Sequence, residues 1–316
     1  MELTSHAEYS RDTDSNFVLL DNFYKYLINK YPDKIDDSNR ESRISTISVI
    51  NYNLTNLLED VYYKMTLEMG VQEDFAPIIA MKNELLIDRI MLTTSKKHYA
   101  SSIAAKEGNI YDNPVIDLKG LSIKKVSTNK NVREYYTEIL EKDILEADKI
   151  SLTKIINKYK NLEVEIKESL LSGSIEYTLP AKAKKSSSYV DPYSIQGFRA
   201  TLAWNEFFPE MEIELPNKID LIKLNIPDME AVKAKIDDEE LLEVFETLFN
   251  NKNLTKNGLN VMAINDKKIP DFIIPFIDIE AMINTHTKSG RPIMESLGFE
   301  IMDSRNNEFT SNIIKL

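Results

Sequence analysis

Apolar positions at three- and four-residue steps mark the first long element of the chain. Ile50, Leu54, Leu57, Leu58, Val61 and Met65 share one helical face, and Gly70 ends the run. Ahead of it, the apolar stretch Phe17-Val18-Leu19-Leu20 follows an Arg11-Asp12-Thr13-Asp14 turn, so the residues around 7–20 read as a hairpin. Residues 32–44 are polar and read as a loop. The pattern then turns β-like over residues 76–81, 85–92 and around 98–103, with Lys106-Glu107-Gly108-Asn109 as a turn. Helical periodicity returns at Val132, Tyr135, Tyr136, Ile139 and Ile144, behind the capping residues Ser127-Thr128-Asn129. Ser151 caps a second helix carrying Leu152, Ile155, Ile156, Tyr159, Leu162 and Ile166, which Ser172-Gly173-Ser174 closes. Residues 182–188 are rich in Lys and Ser and read as a basic loop. Beyond them the pattern predicts a helix near 193–207, strands near 212–215 and 219–224, and helices near 228–235, 238–249 and 278–297.

Composition narrows the function. The chain has 316 residues, enough for two or three domains, and 42% of them are hydrophobic, which rules out disorder throughout. A net charge of −12 argues against a protein that grips nucleic acid over its whole surface, although a local basic groove is compatible with it. There is no Cys, which removes disulfides, thiolate metal sites and cysteine nucleophiles and suits a reducing compartment. The three His residues, His6, His98 and His286, are scattered, so a bound metal is expected on carboxylates and is expected to be a hard ion such as Mg²⁺. No apolar run reaches the roughly 20 residues that span a bilayer, and residues 1–6 have no signal-peptide pattern. A soluble, cytoplasmic protein with no membrane partner is expected.

The sharpest local feature is Asp12-Thr13-Asp14-Ser15. Residues i and i+2 of a strand face the same side, so both carboxylates can meet one ion. Asp and Ser are also ordinary turn residues, and a solvated turn is the simpler alternative. An EF-hand is excluded, because the positions that need Gly and Glu are Phe17 and Phe23. A phosphatase D-x-D nucleophile needs a buried apolar strand before it, whereas Ala7-Glu8-Tyr9-Ser10-Arg11 is polar.

From this hairpin onward the order of motifs resembles the C-terminal part of family-B DNA polymerases, the phage replicative type above all. Asp12-Thr13-Asp14-Ser15 resembles the palm motif D-T-D-S, and Lys96-Lys97-His98-Tyr99-Ala100 resembles K-K-R-Y-A. Met81-Lys82-Asn83-Glu84 is similar to the strand whose Glu approaches the metal site, and Glu107-Gly108 and Lys119-Gly120 match E-G and K-G. Lys124-Lys125-Val126-Ser127-Thr128-Asn129 resembles the entry to the thumb, and Pro192-Tyr193-Ser194-Ile195-Gln196-Gly197 the thumb motif P-Y-H-x-R-G. Arg11 stands where the family has a small residue, His98 where it has Arg, and Gln196 where the thumb has Arg.

The resemblance implies an α+β fold: a partial palm over residues 1–126, of antiparallel hairpin and strands packed with a long helix, and a mostly helical thumb with a C-terminal tail over 127–316. It implies template-directed nucleotidyl transfer from a dNTP to a primer 3′-OH with two Mg²⁺ ions. Asp14 is the expected main ligand, Asp12 the auxiliary carboxylate and Glu84 a third acidic group. Lys96, Lys97 and Tyr99 are expected on the minor groove of primer–template DNA, continued along the phosphates by Lys119, Lys124, Lys125, Ser127, Thr128 and Lys130, with backbone N–H groups near Asn129 as anion donors. Lys182, Lys184 and Lys185 either reach the duplex or form a solubilising loop. Trp204, Phe207 and Phe208 read as thumb core. Two other motifs of the family, D-x-x-S-L-Y-P and K-x-x-x-N-S-x-Y-G, do not occur in the chain. The expectation is therefore the C-terminal polypeptide of a split polymerase, completed by a separate N-terminal polypeptide. The alternative is a non-catalytic DNA-binding remnant or assembly protein. By analogy with related phage enzymes, the tail Asn312-Ile313-Ile314-Lys315-Leu316 is the candidate for sliding-clamp docking.

Overall fold

The computed structural model describes residues 8–11, 16–78 and 82–299. The chain forms two compact units, Met1–Lys119 and Gly120–Leu316. Helices and small antiparallel sheets occur together, so the fold is α+β.

The first unit opens with the expected hairpin, strand β1 (Glu8–Arg11) antiparallel to β2 (Asn16–Val18). Helix α1 (Asp21–Lys30) follows, then α2 (Arg40–Glu68). The polar loop ends sooner than the pattern suggested because Asn39 is an N-cap: its Oδ1 accepts from the N–H groups of Glu41 and Ser42. Residues 76–78, expected as strand, belong to a 3₁₀ helix, Glu73–Ile78, and residues 79–81 lie outside the described residues. Pro77 has no N–H to give to a ladder, which explains the difference.

Strands β3 (Leu85–Leu92), β4 (Tyr99–Lys106) and β5 (Asn109–Lys119) form a meander in that order. Only Glu107 and Gly108 connect β4 to β5, at φ 48° and 83°. Two successive residues at positive φ match the twist of a two-residue hairpin, and Gly takes such a conformation without steric cost. Strand β5 was not foreseen, since it is polar and contains Pro114. As an edge strand it tolerates both, and its register on β4 breaks between Ile103 and Ala105, near that proline. β4 is the central strand, and residues 100–105 are buried throughout.

The second unit begins with α3 (Lys130–Glu138), which runs into a π-helical stretch, Ile139–Leu145, and then α4 (Leu152–Leu171). Ile155, Tyr159, Leu162, Ile166 and Leu170 are the buried face of α4, on the spacing the sequence indicated. Asn129 holds the start of α3 and also anchors it. Its Oδ1 accepts from Asn131 and Val132 N–H, while its Nδ2 donates to the carbonyls of Glu176 and Thr178, each at 2.9 Å. Asp143, buried in the π-helical stretch, meets Lys154 Nζ at 2.6 Å and Lys158 Nζ at 2.7 Å. Burial opposes its charge, but the two ammonium groups hold its carboxyl below the ordinary value.

Strands β6 (Leu179–Ala183), β7 (Asn217–Ile226) and β8 (Leu259–Ile264) form a second antiparallel sheet, with α5 (Gln196–Phe207) packed on β8. Helices α6 (Met229–Lys233) and α7 (Glu239–Asn250) follow β7. No strand forms at 212–215, where Leu215 precedes Pro216. The single helix expected over 278–297 is two, α8 (Ile279–Thr287) and α9 (Arg291–Ser296), parted at Ser289-Gly290. Trp204 is fully buried and donates Nε1–H to the Met211 carbonyl, and Phe207, Phe245 and Phe272 cluster with ring centroids 4.8–6.4 Å apart. Trp204 is core, as the sequence implied, while Phe207 and Phe208 are half-buried at the edge of the aromatic cluster.

His286 on α8 is buried, with Nε2 2.7 Å from the Tyr177 carbonyl. A carbonyl only accepts, so Nε2 carries the proton of the neutral ring. Burial lowers its pKa to about 4, and Lys223 opposes protonation further. The unfolded chain binds this proton below the ordinary value near 6.5, so the stability is present above that pH and is lost as pH falls toward 4, by about 3 kcal/mol at most. The denaturant midpoint of the second unit is therefore expected to drop between pH 7 and pH 5, and His286→Gln is expected to flatten that dependence. Asn129→Ala removes both the cap and the two tethers and is expected to cost about 2–3 kcal/mol in the same measurement. Asn129→Asp, which keeps the cap alone, is expected to recover part of it.

Candidate nucleic-acid interface

The turn between β3 and β4 carries Lys96 and Lys97, both exposed. It is closed from within: Thr93 N–H and Thr93 Oγ1 both donate to the His98 carbonyl, at 3.1 and 3.0 Å, and His98 N–H donates to the Ser95 carbonyl. Reversing the chain here puts Lys97 at φ 62°, in the left-handed region. A side chain there costs about 1 kcal/mol relative to glycine, so a lysine is an expensive choice for the turn alone.

Tyr99 begins β4 and stands directly opposite Leu92 on one side and Lys119 on the other. Cross-strand partners share a face, so Tyr99 and Lys119 lie side by side at the sheet end that bears the lysine turn. Lys119 is steadied by Asp117, with Nζ and Oδ2 3.7 Å apart. The ring of Tyr99 meets Phe17 of β2 edge to face, with centroids 5.3 Å apart. This contact seats the hairpin against the same end of the sheet. Asp12 and Asp14 fall between β1 and β2 in the sequence and lie outside the described residues. Glu84 precedes β3 at the other end of the sheet, where its carbonyl accepts from Glu107 N–H. The eight residues of β3 separate it from the Tyr99 end, about 26 Å of strand. Lys96, Lys97, Tyr99 and Lys119 are thus brought together, and Glu84 is not among them.

In the second unit, residues 121–129 make a compact turn. Thr128 Oγ1 donates to the Ser122 carbonyl at 2.8 Å and Thr128 N–H to the Lys125 carbonyl. Lys124, Lys125, Ser127 and Lys130 are exposed on it, and Lys130 faces Glu134 at 3.7 Å. The start of α3 is a poorer anion donor than the sequence suggested, because the Asn129 side chain already occupies two of its N–H groups. Residues 182–188 are not a plain loop: Lys182 lies in β6 opposite Lys218, and Lys184 N–H donates to Tyr189 Oη at 2.8 Å. The segment Pro192–Ser194 is a 3₁₀ turn capped by Asp191 and leads into α5. Gly197 lies so near the Lys182 carbonyl that a Cβ would sit 3.1 Å from it, which explains a glycine there.

Among the described residues no three His, Asp or Glu side chains converge as a metal site. Sequence reading missed Phe17 and Asp117 as parts of this surface. Phe17 carried only the signal of an apolar strand residue, and nothing local links it to Tyr99, far away in the chain.

A family model described as Divergent Family B DNA polymerase matches residues 5–314. The chain belongs to this family. No curated protein matches it. As a member of the divergent family B DNA polymerases, it is DNA-polymerase-related, and its coarse partners are DNA and deoxynucleoside triphosphates. No helix among the described residues is long and apolar enough to cross a membrane.

Proposed function

We propose that this divergent family B chain is the C-terminal polypeptide of a split DNA-directed DNA polymerase. In this reading residues 1–126 complete a palm and residues 127–316 form the thumb and tail. The observation that carries the reading is the Phe17–Tyr99 contact. It ties the hairpin bearing Asp12 and Asp14 to the sheet end bearing Lys96, Lys97 and Lys119, which is the juxtaposition a primer terminus needs.

In the proposed reaction the primer 3′-oxygen attacks the α-phosphorus of the dNTP. One P–O bond forms, the bond to the departing pyrophosphate breaks, and the hydroxyl proton goes to solvent or a nearby base. Asp14 and Asp12 are assigned as ligands of the Mg²⁺ ions, with a further carboxylate from the N-terminal polypeptide. The donor set fits, since hard cations take oxygen ligands and the chain offers no thiolate. When bound, the ions supply charge neutralisation at the attacking and leaving oxygens. Glu84 has no role in this proposal, because it stands at the far end of the sheet. Lys96, Lys97 and Lys119 neutralise phosphates as point charges, and Tyr99 offers a flat amphipathic face to sugar in the minor groove, where little sequence is read. Lys124, Lys125, Ser127, Thr128 and Lys130 of the second unit are assigned to phosphate contacts. The tail is a proposed clamp contact, outside the described residues. The second reading is a non-catalytic DNA-binding remnant or assembly protein, which follows where no partner polypeptide supplies D-x-x-S-L-Y-P and K-x-x-x-N-S-x-Y-G.

Two measurements test this. Primer extension by the chain together with a polypeptide that carries both missing motifs is expected to fall at least ~1,000-fold on Asp14→Ala, about 4 kcal/mol of transition-state stabilisation. Duplex affinity should stay within about twofold, since the carboxylate adds nothing to phosphate binding. Extension by the chain alone, or by the mutant complex, refutes the split two-metal reading, and no extension by the wild-type complex establishes the remnant. In filter-binding titrations, Lys96→Gln and Lys97→Gln are each expected to lower the slope of log affinity against log salt by about 0.9, equally for all duplex sequences.

A further inference from the structure

In the second unit buried apolar side chains far outnumber exposed ones, whereas in the first, among the described residues, large exposed apolar side chains outnumber buried ones. The helix α2 shows where the deficit lies. Its buried residues are Ile44, Ile50 and Thr66. Leu57, Val61 and Met65 are 61%, 51% and 41% exposed, and Met69 just past the helix end is 74% exposed. These four recur every fourth residue and form one row about 18 Å long. A second exposed pair, Leu19 and Phe23, sits on the chain immediately after the β1–β2 hairpin. Apolar surface of this extent marks an interface.

We propose that the row Leu57-Val61-Met65-Met69 and, as a separate patch, Leu19 and Phe23 dock the N-terminal polymerase polypeptide. This rests on the split-polymerase reading and adds its contact surface. The charges select the occupant. Between Leu57 and Phe75 the chain carries Glu59, Asp60, Glu68, Glu73 and Asp74 against Lys64 alone. That acidic rim repels a DNA backbone and an anionic lipid surface, and two copies related by a two-fold axis would set it against itself. It suits a different polypeptide, apolar at the centre and rimmed by Lys or Arg. Placement supports the same choice: a chain covering Leu19 and Phe23 lies next to the hairpin segment that holds Asp12 and Asp14, where the missing palm carboxylate is required. Among the described residues nothing further pairs with the two-stranded hairpin, which leaves ladder edges for such a chain, and two strands alone are marginal.

The test co-expresses the full chain with the polypeptide encoded beside it that carries D-x-x-S-L-Y-P and K-x-x-x-N-S-x-Y-G. A benzophenone amino acid at position 61 is expected to crosslink to that polypeptide. Val61→Glu with Met65→Glu is expected to weaken the complex at least tenfold, with helical circular dichroism and duplex binding by the variant unchanged. A crosslink within the same chain or to a second copy overturns the assignment. A complex that forms with undiminished affinity in the double variant overturns the surface but leaves the split reading standing. No complex with the wild-type chain, or no such polypeptide, overturns both.

Discussion

Strand β4 is enclosed on both faces, and the first unit is arranged around that constraint. Ala100, Ser101, Ser102, Ala104 and Ala105 are small enough to let neighbours approach on either side, so the strand cannot slip by one residue without losing its packing. With β4 fixed, Leu92 and Lys119 are set opposite Tyr99, and the lysine turn is held at one end of the meander. Phe17 then has one ring to pack against, and the hairpin takes its place from that contact. The grouping of Lys96, Lys97, Tyr99 and Lys119 at one end of the sheet is therefore a consequence of register. The ladder places Lys119, and the hydrogen bonds of the β3–β4 turn place Lys96 and Lys97.

The second unit solves a different problem. It has a full core, and its polar groups lie at joints where elements meet. Asn129 fastens α3 to the strand-side carbonyls of Glu176 and Thr178, Asp143 ties the π-helical stretch to two lysines of α4, and His286 bonds α8 to Tyr177. Each is a buried polar group with partners, which fixes geometry more than it adds stability. A rigid body of this kind suits a segment that has to hold a duplex at constant spacing, the role proposed for it as a thumb.

The contrast between the two units bears on function. A fold that leaves Leu57, Val61 and Met65 in water loses stabilisation that an ordinary helix gains, at roughly 25 cal/mol for each Å² left uncovered. An acidic rim around such a row narrows what can cover it. The net charge of −12 is thereby given a place: part of it frames the apolar row, while Lys96 and Lys97 sit on the β3–β4 turn and Lys124 and Lys125 on the turn before α3.

Much of this was legible in the residue pattern. The buried face of α4, the limits of β3, the Glu107-Gly108 turn and the caps Asn129 and Ser151 follow from periodicity and capping chemistry, which act within a few residues. The order of the Asp12–Asp14, Lys96–Lys97 and Lys119 motifs pointed to the family that the comparison showed. Strand β5, the strand at Lys182 and the 3₁₀ turn at Glu73–Ile78 were not legible, since an edge position or a proline decides them and neither has a period. Nor was the exposure of α2: a repeat of three and four residues states which side chains share a face, but whether anything lies against that face depends on residues distant in the chain, or on another chain. The Phe17–Tyr99 contact was hidden for the same reason, because two rings so far apart in sequence meet only after the sheet between them has formed.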